Sequence, residues 1–216
     1  MSAFSIQQKI AIYALPVLFA IIVHEVAHGW VASKFGDQTA RLAGRLTLNP
    51  LPHIDLVGTI ILPALFLIMN TGFIFGWAKP VPVDARNMHH PRANMAVVAA
   101  AGPMANVLMA ILWALVVRFS SGFNEWFGVP LSYMGQAGMM INVMLAVLNL
   151  IPIPPLDGGR LLTNLLPPRQ GLMLSRLEPW GFLILILMMV TGVLSMILYP
   201  LIMLLLSLLA PVAGVG

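Results

Sequence analysis

The chain has 216 residues, of which 60% are hydrophobic and 8% charged, with no cysteine and a net charge of +4; its mean hydropathy is +0.94. A soluble domain carries about a quarter charged residues, so this composition cannot cover a water-facing surface and defines an integral membrane protein in which the basic excess orients loops rather than binding nucleic acid. Without cysteine there is no disulfide framework, thiol nucleophile or thiolate metal site. The size leaves room for a single membrane domain, residues 1–216, with no appended soluble module.

A membrane-spanning helix needs about 20 largely apolar residues. In chain order, spans are predicted at Ile10 to Ser33, Ala93 to Val117, Tyr133 to Ile151 and Gly181 to about Ala210. The last is long enough for one helix kinked at Pro200, or for a helix followed by a shorter return. A fifth apolar run, Leu56 to Phe75, is interrupted by Pro63 and can either span or dip in and return. If it makes no net crossing, Lys34, Arg41, Arg45, Lys79, Arg86, Arg92, Arg160, Arg169 and Arg176 all share one side, leaving Lys9 and Arg118 opposite. The positive-inside rule favours that topology, with the amino terminus outside. The first span is not a signal peptide, because its apolar run carries His24, Glu25 and His28 and lacks a small-residue cleavage site.

Ionisable side chains inside a span are expensive and point to function. His24 and His28 are four residues apart, so a helix places both imidazoles on one face, where they can share one metal ion. Glu25 is adjacent and can reach a water on that metal. The alternative is a pair of histidines satisfied by interhelical hydrogen bonds. A catalytic zinc site takes three protein ligands, and Asp157 is the outstanding candidate for the third. It follows an apolar span within NLIPIPPLDGGR, where Pro152, Pro154 and Pro155 break the helix and Gly158-Gly159 permits close backbone approach. Such backbone is tolerated at membrane depth only where it is buried or lines a wet cavity. With no net crossing from Leu56 to Phe75, the ends of the two spans meet on the basic side. The alternative for Asp157 is a turn carboxylate paired with Arg160.

HEVAH, AGPMAN (Ala101 to Asn106) and NLIPIPPLDGG (Asn149 to Gly159), in this order, resemble the site-2 protease family of intramembrane zinc metalloproteases. Gly44 to Pro63 and Phe75 to Val83 are similar to a compact bacterial branch without PDZ or CBS modules. The resemblance implies one Zn2+ per chain held by His24, His28 and Asp157, with Glu25 as catalytic base. It also implies an all-α polytopic membrane fold of four to six transmembrane helices. A short re-entrant or β-hairpin element follows the first helix, and Arg41 to Leu51 is the expected place for the hairpin.

For peptide hydrolysis the scissile segment must be held extended. Asn149 is expected to hydrogen-bond substrate backbone, and the hairpin edge offers strand addition as a second route. Asn106 is expected either to line the site as a substrate contact or to make an interhelical structural bond. His53 is expected at an interface near the site, and Trp77, Trp126 and Trp180 as interfacial anchors. The Met-rich stretch Leu187 to Met203 reads as lipid-facing or loosely packed core.

The function expected is cleavage of transmembrane protein substrates, in the lipid bilayer, near the cytoplasmic face of a bacterial membrane. A metal-ion transporter or channel would use the same His/Glu/Asp cluster, but the buried polar groups gather toward one side and no inverted repeat is visible. A proteolytically dead scaffold need not keep all four residues. Substrate, regulator and oligomeric state are not written in the sequence.

Overall fold

The computed structural model describes residues 6–61, 65 and 78–215. Its helices are α1 (Ile6–Lys34), α2 (Thr39–Leu42), α3 (Pro91–Ser120), α4 (Glu125–Asn149), α5 (Asp157–Leu165), α6 (Pro168–Ser175), α7 (Glu178–Val190) and α8 (Val193–Ala213). Four of them, α1, α3, α4 and α8, are long and apolar enough to cross a membrane, and α6 with α7, bent by 62°, would make a fifth span if the pair is one crossing.

α3 lies at the centre, packed on α1, α4, α5 and α8. Its buried face is built from small residues, among them Ala96, Ala99, Gly102, Ala110 and Ala114. In lipid, where apolar surface alone does not drive helices together, small residues let backbones approach closely enough for dispersion and polar contacts to hold them. The pairing of α1 with α3 is antiparallel. Asn106 Nδ2 donates to the carbonyl of Ala20 at 3.1 Å, and His28 Nδ1 bonds the carbonyl of Val98 at 2.7 Å. Moving up α1 is therefore moving down α3, so the chain between them leaves and re-enters the bundle at the same end. That agrees with no net crossing by the intervening segment. Of Leu56 to Phe75 itself, Leu56–Ile61 forms a π-helical turn, and nearly all the remainder, like Trp77, lies outside the described residues.

The hairpin expected at Arg41 to Leu51 is not formed, and there is no strand among the described residues. α2 occupies the start of this stretch, Gly44 turns the chain at φ 66°, and a 3-10 turn, Leu51–His53, ends it. The polar groups here are used by side chains instead of a ladder. Arg45, counted above among the basic residues that share one side, is buried; it donates to the carbonyls of Lys79 at 2.6 Å and Pro80 at 3.3 Å. His53 is also buried, its Nε2 lying 3.0 Å from the carbonyl of Thr47, while its own carbonyl accepts from Lys79 N at 2.9 Å. Residues 45–53 thus form a bracket that holds the irregular segment 78–84.

The carboxyl-terminal apolar stretch is two helices, broken at Thr191-Gly192 with Gly192 at φ 77°. The expected shorter return is the longer partner: α7 has 13 residues and α8 has 21, with Pro200 inside it. Leu198, Ile202, Leu205, Leu206 and Leu209 form one helical stripe on α8 that packs on Ala110, Val143 and Val147. Met196, Tyr199, Leu204 and Leu208 are exposed, as are Trp126 and Trp180.

One buried carboxylate anchors the loops that follow α1. Asp37 is 0% exposed. Its oxygens accept from Asp84 N at 2.7 Å, Asn87 Nδ2 at 3.0 Å and Thr39 N at 3.1 Å, and from the Thr39 hydroxyl. Burial alone would raise its pKa, but these donors, Thr39 and Asn87 foremost, hold it below the ordinary carboxylate range. The Arg86 guanidinium likewise lowers Asp84, to about 2. A depressed folded-state pKa contributes stability that is complete above the unfolded value and is lost as pH falls through the folded one. Asp37→Asn turns an acceptor into a donor facing N–H groups, and should cost about 1–3 kcal/mol. Thermal unfolding in detergent across pH 2 to 7 checks this: the wild type should lose stability below about pH 4, and the variant should start lower and lose less.

Candidate metal centre

Local sequence explains how each donor reaches the centre. The HEVAH stretch lies within the helical part of α1 toward its carboxyl end, which sets the imidazoles of His24 and His28 one turn apart with their rings at 84° and centroids 4.7 Å apart. Asp157 opens α5, directly after the proline-broken run Ile151 to Leu156. Gly158 and Gly159 lie so close to the backbone of Leu150 to Pro154 that a β-carbon on either would collide with main-chain atoms. That fit folds the loop back and points Asp157 into the bundle. Gly102 does the same service from α3. A β-carbon there would strike the Nε2 edges of both His24 and His28, so glycine is the residue that lets α3 pass this close to the two rings. One residue on, Pro103 cannot donate to the carbonyl of Ala99, and the neighbouring carbonyl of Val98 is the one bonded by His28.

The three donors converge. His24 Nε2 is 3.1 Å from Asp157 Oδ2, His28 Nε2 is 3.3 Å from the same oxygen, and the two Nε2 atoms are 3.1 Å apart. The last contact is not a hydrogen bond between neutral rings. His28 Nδ1 carries its proton toward the Val98 carbonyl. His24 Nδ1 donates to Asn106 Oδ1 at 2.5 Å, because the Asn106 amide nitrogen is committed to the Ala20 carbonyl and to Asn142 Oδ1. Both Nε2 atoms therefore present lone pairs, and Asp157 Oδ2, a buried oxygen with no hydrogen-bond donor, presents a third. Such a constellation repels itself unless a cation sits among the atoms. Three ligand atoms each about 2.0–2.1 Å from a tetrahedral zinc lie about 3.3 Å from one another, close to the spacings found. The donor set fits zinc, and the cluster of His24, His28 and Asp157 is a site for a single Zn2+ ion.

Around this cluster is a cavity of about 370 Å³, lined also by Glu25, Val81, Asn149 and Arg160. One carboxylate oxygen of Glu25 accepts from Val81 N at 2.7 Å. Asn149 lines the cavity, its Nδ2 donating to the Leu145 carbonyl at 3.0 Å. Asn106 is 0% exposed and stands behind His24; of its two expected placements, the interhelical bond is the one formed. Arg160 faces Glu178 at 3.5 Å, not Asp157. His53 belongs to the loop bracket and lies outside the metal cluster. Sequence reading missed three residues: Asn142, Gly102 as a steric requirement, and Arg45. AGPMAN carried the signal for Gly102, since small residues there implied close packing. Asn142 and Arg45 carried none, because their partners are remote in sequence.

An HExxH helix joined at its end by an aspartate from a proline-broken loop, all within apolar helices, defines a membrane metallohydrolase centre. Comparison with known proteins names it more closely. Residues 124–192 match the model of peptidase family M50. The chain is 35% identical over 198 residues to YwhC of Bacillus subtilis, covering 86% of this chain and 83% of that protein. It is 31% identical over 180 residues to Rip2 of Mycolicibacterium smegmatis, covering 82% and 66%; both carry the name of a zinc metalloprotease. The zinc metalloprotease MJ0392 of Methanocaldococcus jannaschii is 24% identical over 189 residues, of which this chain spans 44% of the length. No solved structure gives a significant match. The chain belongs to the M50 family of zinc metalloproteases, and is a zinc-dependent endopeptidase related to the bacterial site-2 proteases.

Gly102→Ala tests the steric part of the site. Alanine favours the helix more than glycine does, so α3 and the fold should persist, while displacement of the imidazoles lowers zinc affinity by about tenfold or more. Metal analysis of the folded protein after challenge with a graded chelator reads this directly.

Proposed function

We propose that the chain is one intramembrane metalloprotease domain that hydrolyses peptide bonds within or next to transmembrane segments of membrane-protein substrates. The observation that carries this reading is the shared cavity: the three zinc-fitting donors and the Glu25 carboxylate lie together inside a bundle of apolar helices. His24, His28 and Asp157 are the residues that would hold the zinc. When bound, zinc supplies Lewis acidity that polarises a carbonyl and makes water a stronger acid.

Glu25 takes the proton of the attacking water and returns it to the amine that leaves, so that one water is added across the broken C–N bond. The Val81 N–H holds one oxygen of this carboxylate, which fixes its rotamer and leaves the other to carry the proton. A helical substrate hides its carbonyls, so the cut requires an unwound segment. Asn149, whose Nδ2 is bonded to its own helix, keeps Oδ1 to accept from a substrate N–H. The segment 78–84, which lines the cavity through Ala78, Pro80, Val81 and Val83, supplies a wall along which such a segment can lie. The basic residues Lys34, Arg41, Arg86, Arg92, Arg169 and Arg176 support a cytoplasmic-side site in a bacterial membrane by the positive-inside rule.

Glu25→Gln separates proteolysis from transport. Cleavage of a single-span substrate in proteoliposomes should fall by about 10²–10⁴-fold while zinc per chain stays near that of the wild type. Undiminished cleavage by this variant would remove the proposed mechanism.

A further inference from the structure

Asn142 is fully buried in α4, in the middle of a span, where an amide is costly unless every group on it is satisfied. Its Nδ2 donates to the Gly138 carbonyl at 2.8 Å, which fixes its orientation and turns Oδ1 toward α3. There Oδ1 accepts from Asn106 Nδ2 at 2.9 Å. The same Asn106 nitrogen donates to the Ala20 carbonyl at 3.1 Å, and Asn106 Oδ1 accepts from His24 Nδ1 at 2.5 Å. The bonds all run in one direction, from the ring proton of His24 through two amides to a backbone carbonyl of α4. If the Asn106 amide turned over, its NH2 would face the His24 ring and its oxygen would face two acceptors. Asn142 is thus one of the two groups that forbid the turned state.

We infer that Asn142, acting through Asn106, is a positioning residue for the zinc ligand His24. The pair hold the ring in the Nδ1–H tautomer with its Nε2 lone pair aimed at Asp157. They also tie the helix that carries His24 to the helix whose end delivers Asp157, so the chain fixes the spacing of two ligands as well as the tautomer of one. Groups that orient a metal-bound imidazole are commonly worth 10–100-fold in metal affinity. This inference rests on the zinc reading of His24, His28 and Asp157.

The test compares Asn142→Leu with Asn142→Asp by zinc affinity in competition with a chelator, and by the absorption spectrum of the cobalt-substituted protein, with thermal unfolding in detergent as the check on folding. Leucine keeps the volume but ends the relay. Aspartic acid, which keeps its proton in an apolar interior, can still donate to Gly138 and accept from Asn106. A positioning role predicts about a tenfold loss of zinc affinity and an altered cobalt spectrum for Asn142→Leu, with Asn142→Asp within about threefold of wild type. A purely structural role predicts the reverse order, because an apolar side chain suits the span better than a carboxylic acid. Wild-type affinity in Asn142→Leu, or weaker binding by Asn142→Asp than by Asn142→Leu, overturns the inference. If Asn142→Leu does not fold, Asn142→Ala is scored by the same rule. Wild-type protein that folds but takes up no zinc would instead refute the metal reading itself.

Discussion

Three lone pairs, two from imidazoles and one from a carboxylate, are held about 3 Å apart, the carboxylate oxygen buried and without a hydrogen-bond donor. This is the constraint on which the remainder of the molecule depends. It is tolerable only with a divalent cation among them. It can be assembled only if α1, α3 and the loop after α4 keep fixed mutual positions. The small-residue face of α3, the glycine against the Nε2 edges of the two rings and the doubled glycine after Asp157 all serve that convergence. In lipid, where apolar surface has little preference for protein over solvent, such specific polar and steric contacts decide helix register.

The polar network behind His24 gives this register a second support. A metal ligand is oriented by whatever its other nitrogen bonds, and here that partner is Asn106, itself oriented by Ala20 and Asn142. His28 is oriented more simply, by a backbone carbonyl on the turn next to Pro103. The two ligands are thus fixed by different means from one helix. Removing Asn106 should disturb His24 first, whereas a shift of α3 disturbs both.

The wall of the cavity that faces Glu25 is made by loops. Glu25 belongs to α1, but its partner is an amide of the segment 78–84, which is pinned in turn by Arg45 and His53 and, through Asp84, by Asp37. A buried arginine bonded to two main-chain carbonyls, together with a buried aspartate accepting from two loops, replaces the strand pairing expected of this region. The consequence is functional: the wall of the site is fastened to the same loops that follow the zinc-binding helix.

Much of the centre was legible in the sequence because its chemistry is local. The four-residue step between His24 and His28, the adjacency of Glu25 and the proline-broken stretch before Asp157 are readable wherever a helix and a loop obey their own geometry. The four long apolar helices found among the described residues followed from length and hydropathy in the same way. For the carboxyl-terminal stretch one kinked helix and a helix with a return both fitted the sequence, because apolar length does not say where a helix ends; Gly192 in a left-handed turn decides that. What tertiary structure alone settled are the contacts between residues far apart in the chain: Asn142 on Asn106, Arg45 on Lys79, Val81 on Glu25, and Asn106 behind His24 instead of in the cavity. No spacing rule reaches across such separations. A side chain's donor and acceptor capacity is written in the sequence, but its partner exists only once the helices have packed.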